Sequence, residues 1–407
     1  MYYSLNNDVF IVDGEKKSCI YDLSNSKLYS INNLLAEKIH QVNRGKIDEK
    51  DVEPELKSIF DDFITKGIFI LTETPIYHDI SDIKEKKSDC QFAWIEITTK
   101  CNLKCIHCYN ESDIRCDNVM SFETFQYVID ILVNMKVPKI QLIGGEPFFD
   151  KKLLKKMLDY VIGKFEYIEV FTNGTLITDS WFNYLAHNNI RMALSVYSYD
   201  EQMHDNVTGI VGSWTRTNST INNLKKYGIP YRICNVLMKG IDIGEKNNDL
   251  YNLSEEKDVV RMSGRGNFSL LSDELIKKRL ITKISFQKPI KKAFCKRLIS
   301  GHNCFKDKIY ISANLDVFPC VMERRIKHCT INNGKITLDD NIRYLTKDKI
   351  NGCSKCEYRY ACFDCRPNSL SGEIFEKPWY CTYHPENGEW ENEDEFIARL
   401  RENVKNS

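Results

Sequence analysis

Three cysteines, Cys101, Cys105 and Cys108, stand together with three and then two residues between them. Three thiolates in one short loop can hold three irons of a four-iron cluster. A structural zinc ion wants four protein ligands, and His107, wedged between two of the cysteines, is poorly placed to be the fourth. The remaining iron is then left open, as a cluster needs if it is to bind a substrate rather than only carry electrons. A second set lies downstream. Cys353 and Cys356, then Cys362 and Cys365, make two C-x2-C pairs; Cys381 follows them and Cys304 and Cys320 precede them. A zinc ribbon expects a spacer of about 15–20 residues between its pairs, whereas five separate Cys356 from Cys362. Seven cysteines also exceed one tetrahedral site.

The chain has 16 cysteines among 407 residues. Met1–Phe10 lacks a basic stretch followed by an apolar one, so no signal peptide is expected. No apolar run reaches about 18 residues, so no transmembrane helix is expected either. A cytoplasmic location follows, where thiols stay reduced and a disulfide framework is improbable. Cys19, Cys90, Cys116 and Cys234 are scattered and read as small apolar core residues. Lys+Arg and Asp+Glu are both 57. That balance excludes a chain-wide basic surface for nucleic acid or an acidic membrane.

The elements that must position these residues fall into three units. Residues 91–290 alternate strands and helices. Strands are expected at Ala93–Ile97, Lys139–Ile143, Tyr167–Phe171, Arg191–Val196, Tyr231–Leu237 and Asp258–Met262. Helices are expected at Phe122–Met135, Leu153–Ile162, Trp181–His187 and Trp214–Tyr227, with a polar one near 247–256. Six such units predict an α/β fold, a partial (β/α)6 TIM-like barrel, with chemistry at the C-terminal ends of the strands. Cys101 directly follows the first strand. Gly144-Gly145-Glu146-Pro147 follows the second, and its glycines would let backbone approach a ligand closely. Thr172-Asn173-Gly174 ends the third strand, Ser195 sits late in the fourth, and Arg261–Gly266 ends the sixth. This last Gly-Arg-Gly loop contacts cofactor or substrate, or is only a turn.

Residues 1–80 read as strands, two helices and a strand, a winged-helix-like domain, with a polar linker at 77–89. Nine Lys and Arg against fourteen Asp and Glu give this unit a net charge of −5, a poor match to DNA phosphates. Residues 291–407 are a cysteine-rich, loop-rich domain expected to draw stability from metal. The Lys/Arg-rich stretch 277–308 reads first as a solvated face and second as compensation for anionic clusters or a dock for an acidic peptide.

The stretch Cys101-Asn-Leu-Lys-Cys105-Ile-His-Cys108-Tyr109, at the end of a first barrel strand, resembles the signature of the radical S-adenosylmethionine enzymes. The resemblance implies a four-iron cluster whose open iron is chelated by S-adenosylmethionine. One electron then cleaves the sulfonium and releases a 5′-deoxyadenosyl radical that abstracts hydrogen from an unreactive C–H bond. It further implies that Gly144, Gly145 and Glu146 bind the methionyl amino group, Glu146 accepting its hydrogen bond. Thr172, Asn173 and Ser195 would face the ribose and carboxylate. The downstream cysteines resemble the SPASM extension of a subset of these enzymes, with x2 where x3 is commonest between Cys362 and Cys365. That likeness implies two auxiliary four-iron clusters, three clusters in all. Cys304, Cys320 and Cys365 would hold the first, with Cys295 as fourth ligand and Cys329 as its substitute. Cys353, Cys356, Cys362 and Cys381 would hold the second.

The layout of residues 1–80 resembles the recognition element of maturases that modify ribosomally made peptides, in particular those encoded beside ATP-grasp ligases. Such elements add a leader segment as an extra strand at a sheet edge. The implied partners are a precursor peptide with its leader and an electron donor such as flavodoxin or ferredoxin, with no nucleic acid and no membrane. The implied reaction is a thioether, carbon–carbon or carbon–oxygen crosslink. The alternatives are epimerisation, with Cys234 or Cys329 as hydrogen donor, sulfatase-maturase-like oxidation of Cys or Ser in a protein, and a non-catalytic electron carrier or metal-stabilised binding module.

Overall fold

The computed structural model describes residues 1–244, 258–363, 365–368 and 372–405. Near the start of the chain, β1 (Tyr2–Leu5) pairs antiparallel with β5 (Phe69–Thr72). A three-stranded antiparallel sheet is formed by β2 (Val9–Asp13), β3 (Lys17–Asp22) and β4 (Lys27–Asn32). Between β4 and β5 lie α1 (Asn33–Asn43) and α2 (Pro54–Thr65). The first of the two expected helices begins at Asn33. Asn32 caps it by accepting from Leu35 N, while Ile31 remains in β4 opposite Ser18. An Asn at this position satisfies an otherwise orphaned helix N–H and so fixes the start.

β2 and β3 are buried on both faces, because they are apolar on both, whereas β4 is half exposed. Ile11 and Ile20 pack with Ile39 and Phe60 of the helices. Phe10, Cys19 and Tyr21 pack with Ile290, Tyr358 and Tyr383 from the C-terminal part of the chain.

From residue 92 the alternation builds a parallel sheet: β6 (Phe92–Thr98), β7 (Lys139–Gly144), β8 (Tyr167–Thr172), β9 (Arg191–Ser195) and β10 (Tyr231–Cys234), in that spatial order. Between them run α3 (Phe122–Asn134), α4 (Lys151–Val161), α5 (Asp179–His187), then α6 (Glu201–Thr208) and α7 (Ser213–Lys226). The fifth strand continues as β11 (Val236–Leu237), which pairs parallel with β12 (Asp258–Val259). The sixth expected strand is thus present as two residues. The polar helix expected near 247–256 lies outside the described residues, and α6 has no counterpart in the sequence reading.

Successive strand residues point to opposite faces. Ile95, Ile140, Leu142, Val170, Met192 and Leu194 are buried against the helices, while Trp94, Gln141, Phe171, Ser195, Arg232 and Cys234 face a central cavity. The helices answer with apolar stripes. In α4, capped by Asp150, residues Leu154, Met157, Leu158 and Val161 are fully buried. Burying each such side chain is worth about 1.5–3 kcal/mol.

The sheet does not end at the expected boundary near residue 290. On the far side of β6, β13 (Lys308–Ile311) pairs with it in parallel, and β14 (Asp316–Phe318) and β15 (Cys329–Thr330) extend the sheet antiparallel. An eight-stranded mixed sheet therefore joins the barrel to the cysteine-rich segment. Among the described residues no helix is long and apolar enough to cross a membrane.

Candidate active site

The loop after β6 is tied down on three sides. Cys101 N donates to Asp113 O within the loop. Lys104 N and Ile106 N donate to Thr208 O and Val207 O at the end of α6, so the unforeseen helix buttresses the cysteine loop. On the third side Gly145 N donates to Thr98 O at 2.7 Å and Glu146 N to Lys100 O at 2.8 Å. A Cβ at Gly144, where φ is +148°, would lie 2.0 Å from Thr98 O, and one at Gly145 would lie 2.2 Å from Lys100 O. Only glycine permits that approach. Its immediate purpose is to seat the strand that feeds the cysteines.

Cys101, Cys105 and Cys108 all line one cavity of about 320 Å³ at the C-terminal ends of the strands. Gly144, Gly145, Thr172, Asn173 and Ser195 line it too. Burial pushes the Cys105 thiol up to about 12, and burial reinforced by the Glu146 charge drives Cys101 higher still. Iron loading must therefore release these protons. Three thiols on one loop, facing a cavity walled by glycine backbone, fit a four-iron cluster with one open position. Among the described residues no three His, Cys, Asp or Glu side chains converge on a single-ion site; a cluster's thiolates bind separate irons.

Glu146 does not take the expected place. It is fully buried and is not part of the cavity wall. One carboxylate oxygen accepts from Thr172 Oγ1 at 2.7 Å and Phe148 N at 2.9 Å, and the other accepts from Asn173 N at 2.8 Å. The carboxylate is a brace between the ends of β7 and β8, because three donors converge on it. Burial, opposed by these hydrogen bonds, raises its pKa to about 6. Asn173 is aimed by the brace, and its amide donates to Asn102 Oδ1 at 3.0 Å.

The cavity floor is polar. Arg232 donates to Glu169 at 2.9 and 3.1 Å, Gln141 also donates to Glu169, and Arg232 Nη1 lies 2.8 Å from Cys234 Sγ. Sequence reading missed this network. Its signal was a polar residue at an inward position of an apolar strand, as in Gln141 of KIQLIG and Glu169 of YIEVFT. Arg265, in the loop left open between a contact and a turn, reaches the cysteine loop instead of the cavity. It donates to Cys105 O at 2.8 Å and Ser112 O at 2.9 Å, clamping the cysteine loop.

The downstream cysteines fall into two groups. Cys353, Cys356, Cys362 and Cys381 line one small cavity with Lys347, Arg359 and Lys377, cations that would offset an anionic cluster. Cys304, Cys320 and Cys365 lie within electrostatic reach of one another, and burial with their mutual repulsion pushes Cys365 up to about 12. Cys295 is not seen in this group. It sits in the helix Lys292–Ile299, fully buried in the apolar layer that also holds Cys19, Tyr21 and Tyr383. The helix's apolar face carries it toward the N-terminal sheet. Cys329 does not replace it; that residue lies in β15 against the barrel core.

The sequence profile of the Radical SAM superfamily matches residues 95–250, the stretch that carries β6–β10 and the cysteine loop. The antilisterial bacteriocin subtilosin biosynthesis protein AlbA of Bacillus subtilis is 33% identical over 179 residues, 44% of this chain and 38% of AlbA. The chain spans about half or less of the first curated relatives it matches. Streptococcus suis SuiB, also solved with S-adenosylmethionine and with its precursor peptide SuiA, shares the fold at a TM-score of 0.56 and 15% identity, over 92% of this chain and 99% of SuiB. The anSMEcpe structure with bound AdoMet shares it at 0.52 and 17%, over 78% of this chain and 100% of anSMEcpe.

Proposed function

We propose that this chain is an enzyme, a radical S-adenosylmethionine maturase that abstracts hydrogen from a residue of a ribosomally made precursor peptide to install a crosslink. The observation that carries the reading is the placement of Cys101, Cys105 and Cys108 around one cavity with Gly144 and Gly145. Loaded with its cluster and S-adenosylmethionine, such a site supplies a carbon-centred radical at an unreactive C–H bond. The chain's own residues do the rest. Gly144 and Gly145 offer backbone to the methionyl end, Asn173 and Ser195 offer polar groups to the ribose and carboxylate, and Trp94 and Phe171 exclude water. Glu169 holds Arg232 on the floor, where it can orient a peptide carbonyl.

The downstream groups support a SPASM-type segment holding two auxiliary clusters, for about twelve irons per chain. AlbA's named role in bacteriocin biosynthesis and the SuiB–SuiA complex support a precursor peptide as partner. We read residues 1–80 as a winged-helix-like unit for the leader. Among the described residues β4 pairs only with β3, which leaves one edge for an added strand. Oxidation of Cys or Ser in a protein substrate is the second reading, favoured by the fold shared with anSMEcpe.

The test is anaerobic reconstitution with iron and sulfide, then dithionite and S-adenosylmethionine. We expect 5′-deoxyadenosine from the parent and none from Cys108→Ala. Equal behaviour of the two proteins would overturn the reading. Co-expression with a neighbouring short reading frame, followed by mass spectrometry, reads the bond formed: a loss of two hydrogens for a crosslink, no mass change for epimerisation.

A further inference from the structure

The stretch from Arg261 to Gly266, left open in the sequence as either a contact or a turn, touches both sulfur groups. At one end Arg261 lines the central cavity. Its Nε donates to Asp258 Oδ2 at 2.9 Å, and its Nη1 lies 3.3 Å from Cys365 Sγ. Arg279 stands 3.8 Å from the same aspartate, so Asp258 is held from two sides. In the middle, Ser263 Oγ contacts Met322 Sδ at 3.8 Å, and Met322 N donates to Cys320 Sγ at 3.5 Å. At the other end Gly264, at φ +57°, packs so tightly that a Cβ would lie 2.5 Å from Cys108 O. Arg265 N donates to Cys108 O at 3.0 Å, and its guanidinium reaches Cys105 O and Ser112 O. Six consecutive residues thus hold the Cys101–Cys108 loop with one arginine and the Cys304/Cys320/Cys365 group with another.

We propose that residues 261–266 couple the two iron–sulfur sites, and that Arg261 is a positioning residue whose guanidinium donates a hydrogen bond to the Cys365 sulfur and tunes the first auxiliary cluster. The inference rests on the reading of Cys304, Cys320 and Cys365 as cluster ligands. A guanidinium carries donors only, so toward a thiolate it can act only as a donor. Hydrogen bonds to cluster sulfurs and nearby positive charge stabilise the more negative, reduced state, which raises the reduction potential. Asp258, itself paired with Arg279, fixes the orientation of the guanidinium. The same loop places this cation between the central cavity and the Cys365 sulfur, linked to one by lining it and to the other by a hydrogen bond.

The test uses the full chain with Cys101, Cys105 and Cys108 all changed to Ala, leaving only auxiliary clusters. Iron and sulfide analysis comes first, followed by a potentiometric titration monitored by electron paramagnetic resonance. Arg261→Met should lower the potential of one auxiliary cluster by about a tenfold change in its one-electron equilibrium, about 59 mV. The other cluster should not move. Arg261→Lys, which keeps charge and donors, should return most of the shift. If Arg261→Met loads the same iron and shifts neither potential, the inference is overturned. If Met and Lys variants both lose iron, Arg261 is a structural strut and the tuning role is refuted. If Cys304→Ala, Cys320→Ala and Cys365→Ala together remove no iron, it is the cluster reading that fails.

Discussion

Replacing Glu146 by Gln separates two roles for that residue. The sequence reading gives it to the methionyl amino group; the geometry makes it a brace. A glutamine keeps one carbonyl oxygen for Thr172 Oγ1 and Phe148 N, but turns an NH2 group onto the Asn173 N–H that now reaches the second oxygen at 2.8 Å. One charge-assisted bond is lost and a buried donor is left unsatisfied, together about 2–4 kcal/mol. Relief from burying a carboxylate offsets part of this, leaving about 2 kcal/mol. Such a loss raises local opening about 30-fold. Hydrogen–deuterium exchange at pH 7.5 reads it: amides of Phe148 and Asn173 should exchange faster by about that factor, while those of α4 hold. Affinity for S-adenosylmethionine should fall in step with the loosening. Unchanged exchange at both amides, with affinity lost all the same, would refute the brace and return Glu146 to direct cofactor contact.

Other outcomes follow from the same geometry. Gly145→Ala drives a methyl group onto Lys100 O, so iron content should drop by about four per chain and 5′-deoxyadenosine formation by at least about 100-fold; parent-level iron would contradict it. Leu158→Ala empties a fully buried site in α4 and should cost about 2–5 kcal/mol, read as a lower urea midpoint. Burial pushes His328 down from 6.5 to about 4. Its stabilising contribution is therefore complete above pH 6.5 and is lost as pH falls toward 4, because the unfolded chain takes up the proton first. Going from pH 7 to pH 5 should cost about 1–2 kcal/mol, and His328→Asn should flatten that dependence.

Much of the barrel was legible because its signals are local. The runs around Ile95, Leu142, Val170 and Leu194 are short, apolar and bounded by turns, and the cysteine spacing sits at the end of the first of them. What escaped is carried by distance. The Glu146 brace joins residues 26 and 27 positions apart, and nothing near Glu146 announces these two distant donors. Strand β13 has four residues and no preceding helix of the barrel kind, so its partner β6, more than 200 positions upstream, is invisible to periodicity. Cys295 joins Cys304 only through the family resemblance, whereas the face of its helix decides where the thiol points. For Arg261 and Arg265 the sequence leaves contact and turn both open, because their partners lie on other loops.

The pairing of β13 with β6 also orders events during synthesis. The ribosome delivers the first barrel strand long before residue 308 emerges, and until then one side of that strand offers unsatisfied N–H and C=O groups to any passing chain. A product that stops short of β13 keeps every cysteine of the barrel loop yet retains a sticky margin. Expression of such truncations should yield aggregates, because β13 is what pairs that side of β6.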